Sequence, residues 1–373
     1  MVKRVSETSN SNKLIKIEYE DIQKGSGELI GSPSKNIECT KGITFKKGDL
    51  LFGKIRPYLK NYLISKFDGV AIGNFWVMRP VHSFSSDFLF LIMNSQKFFR
   101  YSNVSYGTKM PIADWNLVSN VYYWAPEIKE QKTIGKFFSN YQSNELNKTT
   151  YVDKLKQVKD ILLSTLFINT HKTEPEIRLK EFKDKLNIRV LGDFSNVVKT
   201  KNKDLSISNI LTISSEMGIV RQSDFGFERW HKEESLSGRL IIEPDDFVRN
   251  PIISKNSPAG PIRRNNTNET GIISNIYFAF RVHSVDKDFL EHYFFSNKWN
   301  NFVEIYGQKG ARVGCIEIQS SEMMRLPIPI PSIEEQSKIG KIFKIIDKLI
   351  NLKTREIQIL KDLKTTAIKM FLI

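Results

Sequence analysis

The groups in this sequence best suited to chemistry are cations and forked or amide side chains. Lys54, Arg56, Tyr58 and Lys60 cluster just after the glycine that closes an apolar run, and Tyr106 and Lys109 flank a Gly-Thr turn. In the second half, Arg249 and Asn250 follow a matching apolar run. Arg263, Arg264 and Asn265 sit in a polar stretch flanked by Pro and Gly, and Lys309 and Arg312 follow a second turn at Tyr306. Lysine and arginine neutralise phosphates, while Arg and Asn can read guanine and adenine edges in a major groove. Arg56 is the favoured base or phosphate contact of the first set. Each group also has a plainer reading. A basic strand edge blocks sheet-to-sheet pairing, a polar loop can be a solvated turn, and a tyrosine beside a turn can pack with its hydroxyl on backbone.

Signatures of catalysis are missing. The sequence has no Gly-rich phosphate loop, no GxSxG and no Asn-Pro-Pro-Tyr/Phe run. Pro244-Asp245 opens like a nuclease motif, but no Asp/Glu-x-Lys follows it within the next few dozen residues. The histidines at 82, 171, 231, 283 and 292 lack metal-ligand spacing, and Cys39 and Cys315 stand alone. These observations predict a non-catalytic chain with no metal, no cofactor of its own and no disulfide framework, in a reducing compartment. A formal charge of +15 calls for an acidic partner, and nucleic acid is the commonest for a basic protein. At 40% hydrophobic and 11% aromatic, the 373 residues can bury two or three cores. No apolar run approaches the roughly 20 residues that span a bilayer, and the opening residues have no apolar signal core. A cytoplasmic location away from membranes is expected.

The elements that must position these groups are duplicated. Pro126, Ile128, Glu130, Gln131, Ile134, Gly135, Lys136 and Phe138 return as Pro331, Ile333, Glu335, Gln336, Ile339, Gly340, Lys341 and Phe343, an offset of 205 residues. The same offset carries Leu155, Lys156 and Lys159 onto Leu360, Lys361 and Lys364. Upstream, residues 43–53 and 69–80 read as strands and 87–101 as a helix; Tyr277 to Arg281, Asp288 to Leu290 and Tyr306 to Lys309 answer them in the second copy. After each copy a long amphipathic helix is predicted, near 126–167 and 332–371. The second start is marked by a Ser332/Glu335 capping box. About 40 helical residues reach ~60 Å. Ile134, Phe138 and Leu155 on one helix and Ile339, Ile346 and Leu360 on the other are expected to pair the two as an antiparallel coiled-coil spacer. The predicted fold is α+β: two similar recognition domains with pseudo-twofold repetition, over 1–125 and 187–330, joined by a first long helix and linker at 126–186 and a second long helix at 331–373.

This order of domain, helix, domain, helix resembles the specificity subunit of Type I restriction-modification enzymes. The Pro-x-Ile-x-Glu-Gln-x-x-Ile helix starts, the run from Lys47 to Leu59 and the Tyr-Gly-x-Lys loops carry the likeness. It implies that each domain reads one half of a split DNA target, while the helices set the gap between halves and dock methyltransferase subunits. The implied partners are double-stranded DNA, two copies of the methyltransferase subunit and, as a further possibility, restriction motor subunits. S-adenosylmethionine would be bound by the methyltransferase. One departure stands out: the run from Ile188 to Phe194 that opens the second domain has no Leu-Gly-Asp equivalent ahead of Asp49, so a first domain trimmed at its N-terminus is expected. The competing expectation from another class is a coiled-coil assembly protein with an acidic protein partner.

Overall fold

A computed structural model describes all residues except 12, 32–40, 105–109, 170–171, 173, 215–216, 226–235, 310–313 and 372–373, together with the side chains of 225 and 309. The chain divides into two compact units: Met1–Val152 with Leu352–Ile373, and Asp153–Asn351.

In the first unit an antiparallel sheet has the strand order Val2–Val5, Phe75–Pro80, Leu50–Gly53, Tyr62–Ile64. A second sheet orders Thr8–Ser9, Gly42–Phe45, Gly69–Ala71 and Ile15–Ile17, the last pairing being parallel. The two strands expected at 43–53 and 69–80 are therefore each broken in two. Gly48 and Gly73 take positive φ at the breaks, a conformation that glycine adopts without a Cβ clash. The helix expected over 87–101 is likewise split, into Ser86–Met93 and Gln96–Ser102. Asn94 ends the first, and the Ser95 hydroxyl accepts from the Phe98 N–H to cap the second. Phe88, Leu91, Ile92 and Phe98 form a core with Ile134, Phe138 and Ile368 from the two long helices.

The second unit repeats the first sheet as Ser195–Val197, Phe278–Val282, Phe247–Arg249, Ile262–Arg264. The two sheets share strand order and antiparallel pairing, so the edge strand Ser195–Val197 has its counterpart in Val2–Val5. Asn187–Val190 pairs with Pro327–Ile330, and the helix Lys287–Phe295 packs on the sheet through Phe289, Leu290 and Phe294.

The long helices span Ile128–Leu166 and Ile333–Phe371. Within the first unit they run antiparallel. Phe138 meets Phe371, the Tyr141 hydroxyl donates to the Leu360 carbonyl at 2.8 Å, and Lys148 pairs with Glu356. Within the second unit Lys159 pairs with Asp347 at 2.6 Å and Phe167 stacks on Phe343, again antiparallel. Of the residues assigned to this pairing, Ile134, Phe138 and Ile339 are buried, and Leu155, Ile346 and Leu360 are half-buried.

Candidate nucleic-acid interface

The scaffold under the site is the same in both units, down to single hydrogen bonds. Asp49 receives two bonds from Arg79, at 2.9 and 2.7 Å, and Asp246 receives two from Arg281, at 2.7 and 2.9 Å. Each carboxylate also accepts a backbone N–H three residues upstream, from Lys46 and Glu243. Both aspartates are buried, and paired guanidinium–carboxylate bonds are among the stronger polar contacts. The repeated Glu-Gln motif does a second job. Gln131 accepts from the Ser85 N–H and donates to the Pro126 carbonyl, while Gln336 accepts from the Asp286 N–H and donates to the Pro331 carbonyl. One amide thus ties the start of a long helix to the N-cap of the domain helix. The repeated glycine allows that approach: a Cβ on Gly135 would lie 2.5 Å from the Asp87 Cβ, and one on Gly340 2.9 Å from the Asp288 Cβ.

The repeated glutamate differs between copies. Glu335 is buried and takes a bidentate pair from Arg178 at 2.9 and 2.8 Å, whereas Glu130 is exposed. Half of the expected capping box forms: the Ser332 hydroxyl accepts from the Glu335 N–H at 3.3 Å, while the glutamate side chain goes to Arg178.

In the first unit the expected cluster comes together. Beyond Gly53 the chain is pinned on both sides: the Lys54 N–H donates to Asn74, the Lys54 carbonyl accepts from Ala113, and the Arg56 N–H donates to Pro111. Arg56 and Lys60 both take left-handed φ, at 50° and 55°, around a short 3-10 turn at Pro57–Leu59. Left-handed backbone costs a non-glycine residue about 1–2 kcal/mol, so surrounding contacts must hold this turn. It carries Arg56, Tyr58 and Lys60 on the surface, with Lys54 half-buried and the Lys60 ammonium 5.6 Å from the Phe99 ring centre. Tyr106 and Lys109 lie outside the described residues.

In the second unit the expectation needs correcting. Arg263 and Arg264 stand in a strand, not a loop, and Arg249 is in the strand beside them. Arg249 is 2% exposed and donates to the Ala259 and Ile316 carbonyls. Arg263 lies 4.1 Å over the Phe295 ring and donates to the Ile262 carbonyl. Burial pulls both guanidinium groups down to about 10, with Glu291 opposing the shift at Arg263. Arg264 is shared by Asp245, Asp288 and Glu291. Burial pushes the Asp245 and Asp288 carboxyls up, but the cations outweigh it (Lys287 and Arg264 at Asp245, Lys344 and Arg264 at Asp288) and hold both below the ordinary carboxylate range. Asn265 is buried as a turn clamp, donating to the Glu243 and Glu269 carbonyls, and the buried Asn250 accepts from the Ile252 N–H. Asn250, Arg263, Arg264 and Asn265 are committed to internal partners, and Arg249 is held through Nη2 alone. Tyr306 is half-exposed at the end of the helix Asn300–Tyr306 with its ring on Phe302. Lys309 lies in a short strand paired with Ile316–Glu317, its side chain outside the described residues, as is Arg312. Among the described residues no cluster of three metal-ligating side chains occurs, and no helix is long and apolar enough to cross a membrane.

With the geometry in place, comparison with known proteins is informative. Residues 251–362 match the Type I restriction modification DNA specificity domain. A curated relative, the Type I restriction enzyme MjaVIII specificity subunit of Methanocaldococcus jannaschii, is 24% identical over 289 residues, 71% of this chain and 64% of the relative. The match thus spans just under two thirds of that protein's length. Two solved structures share the fold. A chain from a structure of the type I R-M system has a TM-score of 0.51 at 16% identity, covering 99% of this chain and 94% of that one. The Type-I restriction-modification system S subunit of M. genitalium has a TM-score of 0.58 at 12% identity, covering 100% and 93%. The fold is that of the two solved structures, two similar units each built on one sheet order, and the matched domain lies within residues 251–362. More particularly, the chain is similar to a specificity subunit of a Type I restriction enzyme, and its residues 251–362 match the DNA specificity domain.

Proposed function

We propose that this chain selects the DNA target of a Type I restriction-modification complex, each unit reading one half of a bipartite sequence. The duplicated scaffold carries the reading. Two sheets of one strand order, each locked by an Asp–Arg pair and tied by a glutamine to a long helix, present different surface groups from equivalent frames. Arg56, Tyr58, Lys60 and Lys54 are the contacts of the first unit, and Tyr306, Lys309 and Arg312 those of the second, with Tyr106 and Lys109 added to the first unit as the sequence counterparts of Tyr306 and Lys309. Arg249, Asn250, Arg263, Arg264 and Asn265 shape and brace the second unit's frame. The chain itself is non-catalytic, and adenine methylation belongs to partner subunits that bind S-adenosylmethionine. Ile345, Leu352, Ile359 and Met370 stay exposed along the C-terminal helix, the first three at strict seven-residue spacing, as a seam for partner helices would. The matched domain weighs against an assembly protein with no DNA role. Methylation mapping of cells with and without this chain tests the reading. A split adenine motif should vanish on deletion, and an unchanged methylation pattern would overturn it.

A further inference from the structure

The second unit contains a cleft of about 930 Å³ that the first unit fills with aromatic side chains. The shared Asp–Arg frame sets the correspondence. Counting from Asp49 and Asp246, Phe52 stands where Arg249 does, and their strand neighbours make Trp76 equivalent to Phe278. The 205-residue offset pairs Trp115 with Ser320, each the first residue of a short helix. Strand register pairs Arg4 with Val197.

In the first unit these positions form a plug. Phe52 stacks on Trp76 at 5.4 Å, Trp115 meets Trp76 edge-on at 5.1 Å, and the Arg4 guanidinium lies 5.7 Å from the Trp115 ring centre. In the second unit, serine replaces the indole and valine the arginine. The space opens between Val197, Tyr277, Phe278, Ser320 and Met324, with Arg249 lining it in place of Phe52.

Arg249 is an unusual group to leave there. Among the described residues no carboxylate pairs with it, its only hydrogen bonds run from Nη2 to two carbonyls, and its buried Nε has no partner. A buried charge ordinarily acquires an opposite one. Lys199 and Lys201 stand exposed at the cleft, against a single carboxylate, Glu317. The volume is that of a small-molecule site, and its walls mix apolar side chains with charged and polar ones.

We infer that this cleft binds a nucleotide, with a planar base in the space vacated by the indole and its phosphate against Arg249, Lys199 and Lys201. The base replaces the ring contacts that Trp115 makes in the first unit, and the phosphate supplies the missing counter-charge. The nucleotide is either free or part of a DNA strand. For a free nucleotide the inference does not rest on the half-site reading, because a mononucleotide probes it with no duplex present; for a nucleotide of DNA it rests on this chain binding duplex.

The test uses the full chain, with dAMP, inorganic phosphate and a DNA duplex as separate probes in titration calorimetry. Ser320→Trp restores the plug, and Ser320→Phe is a smaller plug should the first variant melt early. If the cleft takes free nucleotide, the wild type binds dAMP at least tenfold more tightly than either folded variant does, and more tightly than it binds phosphate. If it takes a nucleotide of DNA, dAMP binding is absent throughout and duplex affinity falls at least tenfold in the variants. Unchanged dAMP and duplex binding in a folded variant overturns the inference, while leaving sequence selection by the wild type, measured separately, as the test of the half-site reading.

Discussion

The two units share a frame and differ in what the frame holds. Three residues after the buried aspartate, the first unit places Phe52 in a stack of rings, and the second places Arg249 beside an open cleft. The outer groups differ as well. Arg56 is exposed on a strained turn, while Arg264 of the second unit is enclosed by three carboxylates. Duplicated backbone contacts therefore preserve position, and substitution at equivalent sites changes what that position can bind.

The largest effect should come from the shared lock. Asp246→Ala and Asp49→Ala each remove the buried acceptor of a paired arginine, and each should lower unfolding free energy by about 3 kcal/mol in denaturant titrations. A large loss in one unit and none in the other would break the equivalence. Next, Arg264→Met strips Asp245, Asp288 and Glu291 of a shared cation and should destabilise by about 2 kcal/mol, with effects on DNA only as far as folding is lost.

A smaller and pH-dependent difference is expected between the helix pairs. Asp347 binds His292 at 2.9 Å and Lys159 at 2.6 Å, whereas its counterpart 205 residues earlier is Gln142, which accepts from Lys364 at 3.3 Å. Burial works against the Asp347 charge, but His292 and Lys159 outweigh it and depress its pKa. Such a carboxylate adds stability that is present above its unfolded pKa of about 4 and is lost as pH falls through the lower folded value. Asp347→Gln should flatten that acid limb in chemical denaturation at a series of pH values. An unchanged limb would mean that other carboxylates dominate it. The smallest effect on stability belongs to Arg56→Ala, within about 0.5 kcal/mol of wild type because the side chain is exposed. Its signature is in binding: weaker affinity for duplex and, for a phosphate contact, a salt slope reduced by about one.

The sequence revealed the parts of this molecule that are local or repeated. The offset of 205 is visible without coordinates, and so are both helix starts, because Gln131 and Gln336 do the same work in the same context. The internal breaks were less legible: residues 87–101 have helical periodicity throughout, and only the capping action of Ser95 interrupts it. The second unit's cations misled for a physical reason. Arg263-Arg264-Asn265-Asn266 has the composition of an exposed turn, but the groups that draw it inward, Phe295 and the carboxylates of Asp288 and Glu291, come from a helix more than twenty residues away. The cleft was legible in principle, since Trp115 and Ser320 stand at the repeat offset, but its significance needed the sheet register that brings Arg249 to its wall.

The most direct measurement of the central claim is methylation of a randomised duplex library by this chain with its methyltransferase partner. The account predicts two short specified segments at one fixed spacing, with Arg56→Ala weakening selection at one segment and leaving the other as it was. A single continuous motif, or equal loss at both segments, would contradict it.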